Sequence, residues 1–157
     1  KKIKIILKSI KKISHRKHIT LRSENISNLT SLIAIYPFVR KFVNNQQKLA
    51  VSNILKKNKG CVIDGRDIGT KVFKNAKIKL FIDANIEIRA KRRHKQLIEQ
   101  GEKSIYSHIL KDLKLRDKTD INRKESPLRI PVGAIIIDNS KSFVKTKNQI
   151  NKALQKF

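Results

Sequence analysis

The segment GCVIDGRDIGT, residues 60–70, joins an apolar run to a group of charged residues. CVID is typical of a short buried strand, and the run ends at Asp64. Arg66 and Asp67 follow at once. Charged residues are rarely buried unless they are paired, and the ligand sites of α/β proteins lie at the carboxyl ends of strands. The segment therefore predicts a strand that leads Asp64, Arg66 and Asp67 into a site.

Strands and helices alternate around this segment. KIKLFID, residues 77–83, and AIIID, residues 134–138, are predicted as two further strands, and the proline-containing residues 127–133 as a loop. Apolar positions at helical spacing predict helices; their approximate ranges are 23–35, 37–59, 84–101, 104–120 and 142–157. Strands that alternate with helices indicate an α/β fold with a parallel sheet and crossover helices.

The other two predicted strands also end in an acid, Asp83 and Asp138. An acid at that position either holds a ligand or accepts hydrogen bonds from the next turn. We expect the second role for both, because neither has the charged neighbours of Asp64.

Arginines form two spaced sets. Arg92 and Arg93 follow Arg89 by three and four residues, so they share a face of a predicted helix. Arg116, Asp120 and Arg123 have spacings of four and three. The guanidinium group presents a rigid fork of donors that matches phosphate oxygens. Both sets are therefore candidates for phosphate binding.

The composition points to polyanionic partners. Of the 157 residues, 38 are Lys or Arg and 12 are Asp or Glu, which gives a formal net charge of +26. Such an excess suits nucleic acid, nucleotides or an acidic membrane face, although a lysine bias from AT-rich codons would also produce it. Aromatic residues are only 5%, which is poor for stacking on single-stranded bases. The single cysteine, Cys61, is expected in the core and fits a reducing cytoplasm, and no apolar run approaches the length of a membrane span.

Several motifs together resemble the bacterial cytidylate kinases. They are VIDGRDIGTKVFKNAKIKLFIDANIEIRAKRR, the later LKLRDKTDINRKESPL and the upstream SLIAIYPFVR. The resemblance runs from about Leu21 to the C-terminus. It implies a nucleoside-monophosphate-kinase fold of the P-loop type, with a parallel sheet and flanking helices. It also implies transfer of a phosphoryl group from ATP, with Mg²⁺, to CMP or dCMP.

The resemblance assigns roles on the acceptor side of the site. Ser31, Arg40 and Asp67 match positions that read the pyrimidine edge of the acceptor. Arg66 and Arg123 match arginines that bind the phosphate of the acceptor nucleotide. Reading a base needs a few fixed donors and acceptors, which these side chains can supply.

It also assigns roles at the ribose and on the donor side. Arg116 and Asp120 match residues near the ribose. Asp64 matches an acid beside the phosphates that meets Mg²⁺ only through water. The arm of a mobile lid, at about residues 92–112, is led by Arg89, Arg92 and Arg93, which would meet the donor and the transferred group. The catalytic set implied in this way is Asp64, Arg66, Arg89, Arg92, Arg93, Arg116 and Arg123.

One family motif does not occur in these 157 residues, the phosphate-binding G-x-x-x-x-G-K-[ST]. The resemblance therefore implies a C-terminal part of a kinase without its first strand and P-loop. Residues 1–22 would be a remnant of the extra segment at the acceptor site, and residues 23–157 the kinase core. We expect this part to be a monomer that is inactive without the N-terminal segment.

Two alternatives stay open. A basic nucleic-acid-binding module without catalysis would account for the net charge of +26, although the scarcity of aromatic residues argues against it. An inactive relic of a kinase would keep the family motifs without the function. The kinase predicts protection by CMP or dCMP over AMP, whereas the nucleic-acid module predicts a response to RNA that depends steeply on salt.

Overall fold

The computed structural model describes residues 29, 30 and 32–157, and it divides the chain into two compact units. The first unit comprises residues 1–64 and 123–125, and the second comprises residues 65–122 and 126–157. The basic segment 1–22, the helix start predicted at Ser23, and Ser31, which was expected to read the base, lie outside the described residues.

The first unit is built around the helix α1, Pro37–Leu55. Proline stands in its first turn, where a missing N–H costs nothing because that group has no partner in the helix. The helix ends before the predicted Gly60, since the Asn58 side chain donates to the Ile54 carbonyl at 3.0 Å and satisfies a terminal acceptor. With 19 residues α1 is long, yet neither it nor another helix of the described residues is apolar enough to cross a bilayer.

The predicted strand at CVID is wrong. Residues 61–64 adopt no regular structure, Val62 is fully exposed, and Cys61, expected in the core, is exposed as well. A strand persists only where a neighbouring strand pairs with its backbone and covers its side chains. Within the described residues the sheet has two strands, and residues 61–64 are not in it. The apolar run alone could not reveal whether such a neighbour is present.

The second unit contains the sheet, which confirms the predicted α/β class and the parallel pairing. Strands β1, Leu80–Asp83, and β2, Ile135–Asp138, pair in parallel with Leu80 opposite Ile135. The crossover between them includes two helices, α2, Ile86–Glu99, and α3, Tyr106–Asn122. The closing helix α4, Phe143–Leu154, packs against β2, where Ile137 is 1% exposed.

Helices α2 and α3 form a hairpin with the main apolar cluster of the second unit. Asn85 caps α2 by accepting from the Glu87 N–H at 2.9 Å. At the other end Gly101 adopts φ 77°, a left-handed conformation that glycine tolerates best. Apolar residues at helical spacing then meet across the hairpin; the buried ones are Ala90, Leu97 and Ile109, with Tyr106, Leu110 and Leu113 packed against them.

Candidate functional site

An ion pair between Arg66 and Asp120 joins two distant parts of the sequence within the second unit. The Arg66 Nη1 lies 3.4 Å from the Asp120 Oδ2, and the exposed fractions of the two side chains are 38% and 6%. Asp120 occupies the last turn of α3, and Arg66 comes from the GRD segment. A carboxylate as buried as Asp120 needs a cationic partner, which Arg66 provides. The pair brings together two residues that the sequence had assigned to one site.

A π-helical turn, Ile68–Val72, follows Arg66 and was not anticipated from the sequence. The carbonyl of the buried Asp67 begins it by accepting from the Val72 N–H at 3.4 Å, and the Ile68 carbonyl accepts from the Phe73 N–H at 2.7 Å. A Cβ at Gly69 would lie 2.7 Å from the Pro131 side chain, so only glycine allows the turn to approach the 127–133 loop this closely. Such turns recur at functional sites. Here the turn fixes the chain that carries Arg66 and Asp67.

Arg116 adds a second guanidinium close to this ion pair. Burial lowers the pKa of Arg116 below its ordinary value, and the positive charge of Arg66 lowers it further. Arg93 acts in the same direction, while Asp120 and Asp117 raise the pKa of Arg116. We call these five residues, Arg66, Arg93, Arg116, Asp117 and Asp120, the arginine cluster. Like charges repel within it, so an anion that accepts hydrogen bonds from the guanidinium groups would relieve the repulsion.

Arg89 is engaged by acceptors of the protein itself. Its Nη1 donates to the Asp117 Oδ1 at 3.1 Å, its Nη2 donates to the Asp117 Oδ2, and its Nε donates to the Ala84 carbonyl at 3.0 Å. The hydrogen bonds to Asp117 raise the pKa of Arg89. The pairing is bidentate, the strongest geometry that arginine forms with a carboxylate.

Arg92 and Arg93 point to other partners. Arg92 donates to the carbonyls of Asn139 and Lys141, each at 2.7 Å, and so attaches α2 to the loop after β2. Arg93 donates from its Nη1 to the Gln96 Oε1 at 3.0 Å and also contributes charge at Arg116. The three arginines share one helix, but their guanidinium groups bond in three directions.

The acids that end the two strands accept hydrogen bonds from the turns that follow, as predicted. The Asp83 Oδ1 accepts from the Ala84 N–H, and the Asp138 Oδ1 accepts from the Ser140 N–H, both at 2.8 Å. The hydrogen bonds from Ser140 hold the pKa of Asp138 below its ordinary value.

The remaining predicted site residues belong to the first unit. Arg40 is half-buried on α1, Asp64 is exposed in irregular chain, and Arg123 is half-buried directly after the last residue of α3. The structure thus brings Arg66, Arg116 and Asp120 together in the second unit.

Asp117 was missed by the sequence reasoning, although it holds Arg89 and acts on Arg116. The available signal was its position beside Arg116 and three residues before Asp120, one helical turn away. Within residues 29, 30 and 32–157, no three or more His, Cys, Asp or Glu side chains gather into a group that could hold a metal ion.

Comparison with known proteins places the chain among nucleotide kinases. Residues 2–157 match the family model described as cytidylate kinase. The chain is 45% identical over 121 residues to the cytidylate kinase of Rickettsia rickettsii (strain Sheila Smith), covering 77% of this chain and 53% of that protein. It is 42% identical over 120 residues to that of Bartonella tribocorum, with 76% and 54% covered. It is 40% identical over 134 residues to the cytidylate kinase of Bartonella henselae, and the match covers 85% of this chain and 60% of that protein.

The chain therefore spans between 53% and 60% of the length of these relatives. Since the family model nevertheless covers almost all of its residues, the chain belongs to the cytidylate kinase family.

Proposed function

We propose that the protein takes part in phosphoryl transfer from ATP to CMP or dCMP, which gives CDP or dCDP. An oxygen of the acceptor phosphate attacks the γ-phosphorus, the bond to the β-phosphate oxygen breaks, and ADP leaves. The observation that carries the proposal is the arginine cluster, because it combines three guanidinium groups with a buried carboxylate. Its residues lie within the part of the chain that matches the cytidylate kinase family model.

The acceptor phosphate is proposed to bind at Arg66 and Arg116. Arg66 keeps 38% of its side chain exposed, so a ligand can reach it, while Asp120 fixes its direction. Burial is the main cause of the lowered pKa of Arg116 and the charge of Arg66 adds to it, so a bound phosphate would stabilise the charged form of Arg116. Asp120 also offers a carboxylate to a ribose hydroxyl. Together these groups favour a ligand that has both a phosphate and a ribose.

The chemistry needs positioning and charge neutralisation rather than a covalent intermediate. Preorganised guanidinium groups stabilise the charge that develops on the phosphoryl oxygens, without reorganising during the reaction. In this proposal Arg93 helps to neutralise that charge and Asp67 reads the base; the roles expected for Ser31, Arg40 and Arg123 stay predictions from the family resemblance.

Mg²⁺ would arrive with ATP, and a single carboxylate is sufficient to meet it. Mg²⁺ keeps several waters and is held by one or two carboxylates together with substrate phosphates. Asp64 is exposed and can supply such a carboxylate through water. The residues present fit a metal carried by the substrate, which neutralises phosphate charge.

A finer part of the proposal concerns residues 1–157 as an isolated polypeptide. We expect it to bind acceptor nucleotide but to transfer phosphate poorly. In support, large apolar side chains are exposed in the described residues, with Val132 92% and Phe143 79% exposed. Large apolar side chains are stabilised when another part of a protein covers them.

The experiment measures both binding and transfer. Calorimetry compares CMP, dCMP, UMP and AMP on residues 1–157, and ADP release is followed with CMP and ATP. The same assay is repeated on a fusion with the part of the Rickettsia rickettsii relative that this chain does not match. We expect binding of CMP over AMP and turnover only in the fusion. Equal binding of CMP and AMP, together with no turnover in the fusion, would remove the proposal.

The net charge of +26 favours one competing function, binding of RNA without catalysis. This alternative predicts tight binding of a single-stranded RNA whose affinity falls steeply with salt, and no preference among mononucleotides. The calorimetric series therefore includes a short RNA at two salt concentrations.

A further inference from the structure

Arg89 and Asp117 connect three elements of the second unit. Arg89 stands on α2, donates two hydrogen bonds to Asp117 on α3, and donates a third to the carbonyl of Ala84 directly after β1. One guanidinium group therefore sets the position of α3 relative to both α2 and the end of β1.

The pair is partly shielded from solvent, which strengthens it. The exposed fractions of the Arg89 and Asp117 side chains are 31% and 21%. Lys95 and Glu99 form an ion pair on the same helix, but they lie 3.7 Å apart with exposed fractions of 79% and 63%. Exposed pairs of this second kind contribute little, whereas a bidentate arginine–carboxylate pair adds both energy and a fixed geometry.

Asp117 occupies the turn of α3 that carries Arg116 and Asp120. It is adjacent to Arg116 and precedes Asp120 by three residues, about one helical turn. A constraint on the Asp117 side chain therefore limits how far α3 can rotate or slide at Arg116 and Asp120. Arg89 holds the Asp117 side chain by two hydrogen bonds, so it acts on this turn of α3 through geometry.

We infer that Arg89 and Asp117 are positioning residues that hold Arg66, Arg116 and Asp120 in their binding geometry. Arg89 then acts through Asp117 instead of contacting the donor phosphates. The functional consequence rests on the proposed function, because it assumes that the cluster binds the acceptor phosphate. The geometric consequence does not, and it can be measured without any ligand.

The test replaces Arg89 by lysine in the 157-residue chain. Arg89→Lys keeps the charge but removes the two-bonded fork and the Nε donor to Ala84. The ligand-free readout is the NMR signal of the Arg116 and Arg66 Nε–Hε groups, including their exchange with water. The functional readout is the affinity for CMP and for cytidine. Two controls alter exposed acids of the same hairpin, Asp112→Asn on α3 and Glu99→Gln on α2.

We expect Arg89→Lys to shift the Arg116 signal and speed its exchange, and to weaken CMP binding by roughly tenfold, as small displacements of binding groups do. Cytidine affinity and both controls should stay as in the unaltered chain. Arg89→Gln should give the same pattern, and it replaces Arg89→Lys if that variant does not fold; Asp117 is left unaltered because its charge acts on Arg116 directly. Unchanged Arg116 and Arg66 signals in a less stable variant would overturn the inference, since the pair would then be merely structural. If the signals move but the unaltered chain binds CMP and cytidine equally, the positioning stands and the proposed function fails.

Discussion

Replacing Asp120 by asparagine should separate the two tasks of the arginine cluster, folding and anion binding. The substitution keeps the shape of a side chain that is 6% exposed and removes its charge. Arg66 and Arg116 then lose the carboxylate that offsets their mutual repulsion. The new amide N–H₂ group also faces guanidinium donors if it takes the place of an acceptor oxygen.

The size of the effect follows from the geometry. At 3.4 Å and an effective dielectric constant of about 20, the attraction between Arg66 and Asp120 is about 5 kcal/mol. Solvent screens much of this because Arg66 is 38% exposed. The expected loss in free energy of unfolding is therefore about 1–3 kcal/mol, the range for leaving a buried polar group without its partner.

The assay is urea unfolding of Asp120→Asn and of Asp112→Asn, each with and without inorganic phosphate. Asp112 is exposed on the same helix, so its replacement should change the free energy of unfolding by less than about 0.5 kcal/mol. Phosphate should stabilise Asp120→Asn more than the unaltered chain, because the cluster has become more cationic. If phosphate stabilises Asp120→Asn and the unaltered chain equally, the cluster is not the anion site that we describe. The same conclusion follows if Asp120→Asn and Asp112→Asn are equally stable.

Three further outcomes are expected. Ser140→Ala should raise the depressed pKa of Asp138 in part, because the substitution removes the hydrogen bond from the Ser140 hydroxyl but keeps the one from the Ser140 N–H. An NMR titration of Asp138 measures this rise. Because that folded-state pKa is low, the stabilising contribution of Asp138 is complete above its unfolded-state pKa and is lost as the pH falls through the folded-state pKa. Leu97→Ala, in a side chain 2% exposed, should lower the free energy of unfolding by about 2–5 kcal/mol, while Leu115→Ala, at 64% exposed, should cost far less by the same denaturation. Asp67→Ala should reduce the ratio of CMP to UMP affinity, measured by calorimetry, more than it reduces phosphate binding, because a site built to hydrogen-bond a base discriminates strongly.

The sequence was sufficient for the elements whose partners lie within the described chain. β1 and β2 were recognised from their apolar runs, and each finds the other in the parallel sheet. The hairpin of α2 and α3 was recognised from helical periodicity. The run at residues 61–64 looked the same as the two real strands, but a strand depends on a neighbour that its own residues do not specify.

Site residues were harder to predict, because sequence spacing indicates a shared face but not the partner on that face. Arg116 and Asp120 were grouped by their spacing, and the structure places Arg66, from another segment, beside them. Arg89, Arg92 and Arg93 had equally suggestive spacing, yet two of them bond to backbone carbonyls or to Asp117. Asp117 itself could not be recognised without knowing that α2 packs beside α3.

The central claim, that the arginine cluster binds the acceptor phosphate, is tested by the affinities of CMP, AMP and cytidine for the unaltered chain and for Arg66→Lys at one ionic strength. AMP has the same phosphate charge as CMP, so it reports non-specific attraction to a chain with a net charge of +26. We predict that CMP binds more tightly than both, and that Arg66→Lys weakens CMP binding at least about tenfold, or 1.4 kcal/mol, without affecting cytidine. Equal affinities for CMP and cytidine in the unaltered chain, or an undiminished CMP affinity in Arg66→Lys, would contradict the claim.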